Sequence, residues 1–546
     1  MKTVFKPLGL AAAVAAVTAG YAGAVSAQEV SSRGLGDLAI IPFYTVNSGF
    51  TTGVHIVNTS AQTQVVKLRA RRGVDSQDSL DFNIVLSPYD EFVGRLEKAG
   101  DEVTPQGGSG KISFIVNDTT CAAPAGTPTG TGSVEWVMPD SGSEDTLINF
   151  RTGADEGYIE VIAMGQPDSE AAAIAVAAKH VAGVPRDCVA VRSNFFRNGV
   201  PADTVSKGVT SPATSNQICT PGPANPLCNA TGIIVNNYVD AQNDALKVSW
   251  FVRDGNAGLE FGNDAVHIEG FAADPMMTNQ QQILAGESDP LGFLFPDLDG
   301  GSPLIGVRGL YDTVVRPLLG AASVMNEWSS RDSGDFAVTT DWVVTMPGQY
   351  LMVDPLQYIV RLLKDDPIFC PPVALTEGPN APISACDFRD IPVGLGITYY
   401  DREEGVFTPE EGGLIVSPSY NVTPDGIVLP FEVNVVEWSV DAPRPVLDSD
   451  YGVEFAPVFT GGVLEDRGWA RLNVVPSSIK TQSIWDYTID SDPSSPGPEG
   501  GPVPVTTTAV PIVGFAVWER AFAANPGSNY GRAIEHSYGS GAGVSS

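Results

Sequence analysis

Residues 40–87 read IIPFYTVNSGFTTGVHIVNTSAQTQVVKLRARRGVDSQDSLDFNIVLS, and this stretch decides the fold. β-Branched and aromatic residues gather in four runs, IIPFYTV, TTGVHIVNT, TQVVKLRAR and LDFNIVLS, with NSG and SAQ as turns between the first three. Within the runs Val54, Ile56, Val66 and Leu68 alternate with polar residues, as strands with one buried face do. Pro88 stops the last run, because it has no N–H to give to a ladder. The pattern predicts an antiparallel meander forming one layer of a β-sandwich.

The same grammar continues outward. KISFIVND, GYIEVIAMG, ALKVSWFVRD, DWVVTMPG, FEVNVVEWS and GWARLNVV are short runs bounded by turn residues, in a chain with 58 Gly and 42 Pro. The expected class is mainly β, with several Ig-like antiparallel β-sandwich domains and few short helices. Helices are expected at Ser169–Val181, where Ser169 can cap the first turn, and at Tyr311–Met325. Pro/Gly/Ser-rich linkers are expected at 104–110, 220–226 and 490–504. The expected divisions are 1–27, a signal peptide; 28–235, a β-rich region of one or two sandwiches; 236–395, a middle β-rich domain; and 396–546, a C-terminal sandwich. No period of 20–50 residues marks a solenoid or propeller.

The N-terminus carries its own signal. Lys2 and Lys6 precede an apolar run from Leu8 to about Ala19, and Val25-Ser26-Ala27 fits a signal-peptidase site with Gln28 as the mature start. The run is too short and too rich in Ala and Gly for a membrane span, and no later segment is long and apolar enough for one. Six cysteines, Cys121, Cys188, Cys219, Cys228, Cys370 and Cys386, all follow that site. An even number in an oxidising compartment points to three disulfides, for which 15 connectivities exist. Proximity favours Cys219–Cys228 and Cys370–Cys386, which leaves Cys121–Cys188.

Charge narrows the function classes. There are 64 acidic residues against 31 basic ones, a formal net charge of −33. Nucleic-acid binding needs Lys and Arg to displace counterions from phosphates, so this balance argues against it, and equally against adsorption to anionic lipid. Catalytic patterns are missing too. GGSGKIS at 107–113 lacks the first glycine of a phosphate loop and runs into a β-branched strand instead of a helix. There is no HExxH, no GxSxG elbow and no Cys/His pair of protease type, and His55, His180, His267 and His536 are scattered. The reading is therefore not an enzyme, although a glycosidase needs only two carboxylates and 64 are on offer.

Calcium is the more natural chemistry, since hard cations take carboxylate and carbonyl oxygens gathered by Gly-containing turns. Four segments fit: PDLDGG with Asp297 and Asp299; RDSGD with Asp332 and Asp335; DSDYGVE with Asp448, Asp450 and Glu454; and DGNAGLEFGND with Asp254, Asn256 and Asp264. None has the glutamate at position twelve that would make it an EF-hand. Phe43, Tyr44, Trp342, Trp469 and Trp518 are expected as core or interface aromatics more than as sugar platforms.

Three stretches carry a resemblance: the segment from Ile41 to Phe92, GDFAVTTDWVVTMP around Asp341-Trp342, and GWARLNVV from Gly468 together with PIVGFAVWERAFAANPGSNYGRAIEHSY from Pro511. Together they resemble a group of secreted proteobacterial cell-surface proteins that includes acidic surface-layer (S-layer) proteins of marine species. The resemblance implies a coat or surface-fibre subunit on the outer face of a Gram-negative envelope. Its partner would be further copies of itself, with divalent cations neutralising facing carboxylates and bridging to lipopolysaccharide. A monomeric adhesin or glycan-binding protein is the first alternative, and a secreted glycan hydrolase the second.

Overall fold

The computed structural model describes residues 28–99, 110–138, 153–193, 238–277, 296–349, 393–400, 426–438, 445–455, 466–475 and 509–539, apart from 75, 77, 303 and 304, with residue 351 and the pairs 406–407, 458–459 and 463–464. The signal peptide, the linkers at 220–226 and 490–504, nearly all of that at 104–110, and Cys219, Cys228, Cys370 and Cys386 lie outside the described residues. What is described is mostly strand, in antiparallel sheets with a few short helices.

The first sandwich is built from β1 (Leu38–Thr45), β2 (Phe50–Asn58), β3 (Gln64–Arg72), β4 (Asp78–Leu86), β5 (Glu91–Ala99), β6 (Lys111–Val116), β7 (Cys121–Ala123), β8 (Val134–Val137), β9 (Glu156–Pro167), β10 (Leu246–Asp254), β11 (Leu259–Asp264) and β12 (Val266–Glu269). One sheet runs β12-β1-β9-β3-β4-β7 with Glu29–Val30 at its edge; the other runs β11-β10-β2-β5-β6-β8 and ends on Thr127–Pro128. Phe82 of the first sheet stacks on Trp136 at 4.7 Å and meets Phe92 and Phe114 of the second, so the two layers close over one aromatic cluster.

The four opening runs are all strands, but they do not form a meander. Only β3 and β4 pair as neighbours; β1 and β2 belong to opposite sheets, and β9 is inserted between β1 and β3. The turn at Asn47–Gly49, with Ser48 at φ 50°, carries the chain across the sandwich instead of back along the same sheet.

The second body contains β13 (Ser323–Asp332), β14 (Phe336–Thr345), β15 (Val393–Tyr400), β16 (Val433–Trp438), β17 (Gly452–Phe455), β18 (Arg467–Val474), β19 (Val513–Phe522) and β20 (Tyr530–Glu535). Strands β13 and β14 pair only near their hairpin, through Ser330–Asp332 and Ala337–Thr339. Beyond it β13 joins β18, and β18 joins β15, while β14 joins β16 and β19, β16 joins β17 in parallel, and β19 joins β20. The single sheet thus splits into two halves that face each other. Trp328 from one half stacks on Trp438 of the other at 5.2 Å, with Trp342 and Phe455 beside it.

The expected divisions at 235/236 and 395/396 each cross a sheet. Strand β10 pairs with β2 over its whole length, and β13 pairs with β18. The two bodies also share one continuous core. Phe515 of β19 packs against Trp250 at 4.8 Å, with Phe43 and Phe261 around it. Thr345 Oγ1 donates to the Pro42 carbonyl at 2.6 Å, and the Val433 N–H donates to the Gly73 carbonyl at 2.9 Å. At Gly73 a Cβ would stand 2.5 Å from the Tyr451 ring, so close approach across this joint requires glycine.

The polar face of β3 is a further departure. Alternation predicts that it meets water, yet every residue of β3 and β4 is buried. Val66, Leu68 and Ala70 face the aromatic core, while Lys67, Arg69 and Arg71 face the other way into an ionic layer. Arg69 pairs with Asp78, Arg71 with Glu160 at 2.6 Å and Lys67 with Asp81 at 3.6 Å: three cations against three carboxylates, all without solvent. The Pro296 carbonyl accepts from Arg69, and the Gly348 N–H donates to Tyr158 Oη at 3.4 Å, so the 296 and 348 segments close over the layer.

The rest of that outer face is apolar. Helices α1 (Ala173–Ala178) and α2 (Cys188–Ser193) cover Val65, Val85 and Met164, and Cys121–Cys188 is a disulfide linking α2 to β7. The expected helix at Ser169–Val181 is real but shorter, since His180–Val181 turns into a strand pairing with Val184–Pro185. The one expected at Tyr311–Met325 stops at Leu319, and β13 takes over from Ser323. Among the described residues no helix is long and apolar enough to cross a membrane.

Candidate functional site: a carboxylate seam between the two bodies

Strands β14, β16 and β17 put three acids in one transverse row. Asp341 lies directly opposite Glu437, and Glu437 directly opposite Glu454. Each is set in a run of apolar neighbours, TTDWVV, NVVEWS and GVEF, so the pleat that sends Trp342, Trp438 and Phe455 into the core sends the acids to the other face. Like charges directly opposite one another oppose pairing. Gly452 makes room for this row, since a Cβ there would sit 2.4 Å from the Glu437 carboxyl.

The loop entering β17 adds two more. Its backbone N–H at Leu447 donates to Asp341 at 2.8 Å, and Asp448 is held at φ 49°. Asp448 accepts from Ser48 Oγ at 2.8 Å and Asp450 from the Asn47 amide at 3.2 Å, which ties both to the β1–β2 turn of the first sandwich. The sixth carboxyl, Glu156 at the start of β9, accepts from Ser449 Oγ at 2.6 Å and Thr45 Oγ1 at 3.2 Å. Asp341 and Glu156 are buried, Glu437 nearly so, and Asp448, Asp450 and Glu454 reach solvent.

Burial dominates the electrostatics. It pushes Glu156 up to about 8, with Asp450 adding to the effect and the hydrogen bonds from Ser449 and Thr45 opposing it. Glu437 is likewise pushed up to about 8, by burial first and then by Asp341, Glu454, Asp448 and Glu156. At neutral pH Glu156 and Glu437 therefore hold protons.

The four predicted cation loops fare differently. Asp448 and Glu454 stand within electrostatic reach of Glu437, and Asp450 of Glu156, at the exposed rim of this seam. Asp297 and Asp299 serve their own backbone, Asp297 accepting from the Asp299 N–H at 2.9 Å and Asp299 from the Tyr311 N–H at 3.1 Å. Asp332 accepts from the Gly334 N–H at 2.7 Å in the β13–β14 hairpin, where Asp335 is exposed. Asp254 and Asn256 share the β10–β11 turn, but Asp264 stands at the far end of that hairpin, 3.6 Å from Lys247. Among the described residues no three His, Cys, Asp or Glu side chains converge closely enough to hold a metal ion.

Asp341, Glu437 and Glu156 escaped the sequence reading, which looked for acids in Gly-containing turns. The signal that would have found the first two is an acid in the middle of an apolar strand. Of the aromatics expected at core or interface, Trp469 is not core. It is 40% exposed and stacks on Tyr400 at 3.9 Å, whereas Phe43, Tyr44 and Trp342 are core.

Comparison with protein-family models, with curated proteins and with solved structures returns no match for this chain.

Proposed function

We propose that this chain is a non-catalytic structural subunit of a cell-surface coat or surface fibre, exported through a cleaved signal peptide and built up from copies of itself. The observation that carries the reading is the single core shared by both bodies, which makes a rigid block, joined to an exposed acidic rim at Asp448, Asp450 and Glu454. A rigid block tolerates lateral packing without losing its shape. With a net charge of −33, copies repel unless the charge is screened or bridged. Divalent cations, calcium foremost, would supply that bridge between facing carboxylates of neighbouring copies and toward lipopolysaccharide. Such a site forms only on assembly, which accommodates the lack of a preformed cage among the described residues. Electron microscopy of the cell envelope tests the reading: a regular lattice or fibre that disappears in a deletion strain and on chelation is expected, and a bare envelope under calcium-replete conditions overturns it.

A second reading, a monomeric adhesin or glycan-binding protein, is favoured by exposed Trp469 stacked on half-buried Tyr400. It requires saturable glycan binding by a chain that sediments as a monomer.

A further inference from the structure

The outer face of the β15-β18-β13 half-sheet joins aromatic and basic side chains, as the β19–β20 hairpin does where Arg532 lies over Trp518 and Arg520 over Phe336. Register puts Tyr400, Trp469 and Glu327 in one row and Thr398, Arg471 and Met325 in the next. The Tyr400 and Trp469 rings lie 6° from parallel, so the indole has one face on the phenol and the other turned along the sheet toward Glu327. Arg471 is exposed, steadied by Ser323 Oγ at 3.1 Å, and among the described residues no carboxylate lies within ion-pair distance of it. Arg467 and Arg331, beyond Trp469 toward the β13–β14 hairpin, share the carboxylate of Asp466 at 3.7 and 3.9 Å. Aromatic and guanidinium groups together on one open surface are the composition of interface hot spots.

The position of this face matters as much as its composition. The other half of the same body, β14, β16 and β17, turns its outer side to the first sandwich through Thr345 and Val433, and its rim carries Asp448, Asp450 and Glu454. The aromatic–arginine face and the acidic rim are therefore on opposite sides of one sandwich. A contact between unlike patches on opposite sides is heterologous, and unless its rotation closes a ring it propagates.

We propose that the Tyr400–Trp469–Arg471 face docks on the Asp448–Asp450–Glu454 rim of a second copy of this chain. The inference rests on the coat reading and gives it a specific contact. The indole supplies the desolvated anchor, and the arginines supply the charge that an acidic partner requires. Charge complementarity selects the occupant: a chain with a net charge of −33 presents acid to its neighbours, and this face offers exposed arginine beside open aromatic surface.

The test uses the full mature chain in sedimentation velocity with calcium at moderate ionic strength. Trp469→Ala and Arg471→Glu each weaken self-association about tenfold or more, with unchanged circular dichroism because both side chains are exposed. Glu454→Lys weakens it as well, and Arg471→Glu with Glu454→Lys in the same chain restores it. Association of the original chain that none of these substitutions changes overturns this contact and leaves the coat reading standing. A chain that stays monomeric with calcium overturns both. Indole fluorescence quenched by an acidic polysaccharide, with association unaffected by Trp469→Ala, overturns the contact in favour of a glycan site.

Discussion

Ser449 and Glu156 are 293 residues apart in sequence, yet the Ser449 hydroxyl donates to the Glu156 carboxyl across the joint at 2.6 Å. The same carboxyl is buried beside Asp450, and burial raises it to about 8. Around it stand Asp448 and Asp450 from the 445–451 loop, Glu437 and Asp341 from β16 and β14, and Asp155 and Arg72 on its own side, with Lys98 pairing Asp155 at 2.8 Å. A carboxyl whose folded pKa exceeds its unfolded value contributes stability that is complete below the unfolded value and is lost as pH rises through the folded one. For Glu156 and Glu437 that window runs from about 4.5 to about 8. The melting temperature should therefore fall as pH rises through that window, with a loss of about 2 kcal/mol per group between pH 6.5 and pH 8.5. Glu156→Gln, which keeps a hydrogen-bonding head and removes the titration, should flatten the profile. A slope unchanged in that variant would assign the effect elsewhere.

His536 works in the opposite direction. Its ring sits between Asn326, at 3.0 Å from Nδ1, and the Val343 carbonyl, at 2.9 Å from Nε2, which places the proton on Nε2. Burial lowers it from the usual 6.5 to about 4. The unfolded chain then binds a proton that the folded one refuses, so stability is lost as pH falls from 6.5 toward 4, by up to about 3 kcal/mol. His536→Gln should remove this acid limb and leave the alkaline one, measured by denaturant unfolding at pH 4.5 and pH 7.

These two groups mark how far the sequence can be read. Strand positions were legible because β-branched runs between turn residues leave little choice, and every run singled out in the sequence is a strand. Partners were not. The string VVKLRARR shows alternation, but only the 296 and 348 segments, more than 200 residues away, determine that Lys67, Arg69 and Arg71 meet carboxylates instead of water. In the same way DSDYGVE announces acids at a turn, while the row from Asp341 to Glu437 depends on which strands pair.

The ionic layer should be unforgiving to one-sided change. Arg71→Met leaves Glu160 and Asp78 buried with a cation missing, and breaking such a pair costs about 3–5 kcal/mol. Replacing both partners with apolar residues, Arg71→Met with Glu160→Leu, should cost distinctly less, because no orphaned charge remains. Equal losses for the single and double variants in urea unfolding would contradict this account.

Cys121–Cys188 closes a loop with a sequence separation of 67 and ties α2 to the edge strand β7. Constraining the unfolded chain over that length stabilises the fold by about 4 kcal/mol. Cys188→Ser, made together with Cys121→Ser so that no lone thiol remains, should lower the melting temperature. The small apolar cluster around Ile174, Ala178 and Val191 should lose protection from hydrogen exchange before the ionic layer does.

Phe515 offers the sharpest test of whether the two bodies act as one. Its ring lies 4.8 Å from Trp250 and within 6.5 Å of Phe43 and Phe261, so a single side chain of β19 completes the core of the first sandwich. Two separable domains would melt in two steps, and Phe515→Ala would disturb only the joint. One shared core demands a different result. Removing the ring should cost about 3–5 kcal/mol and shift a single transition seen alike by far-ultraviolet circular dichroism and by tryptophan fluorescence, since the tryptophans lie in both bodies. Appearance of a second transition in the variant alone would show that Phe515 is the coupling between them. Two transitions already present in the unsubstituted chain would mean that the shared core does not unfold as a unit, and the rigid block on which a coat depends would have to be abandoned.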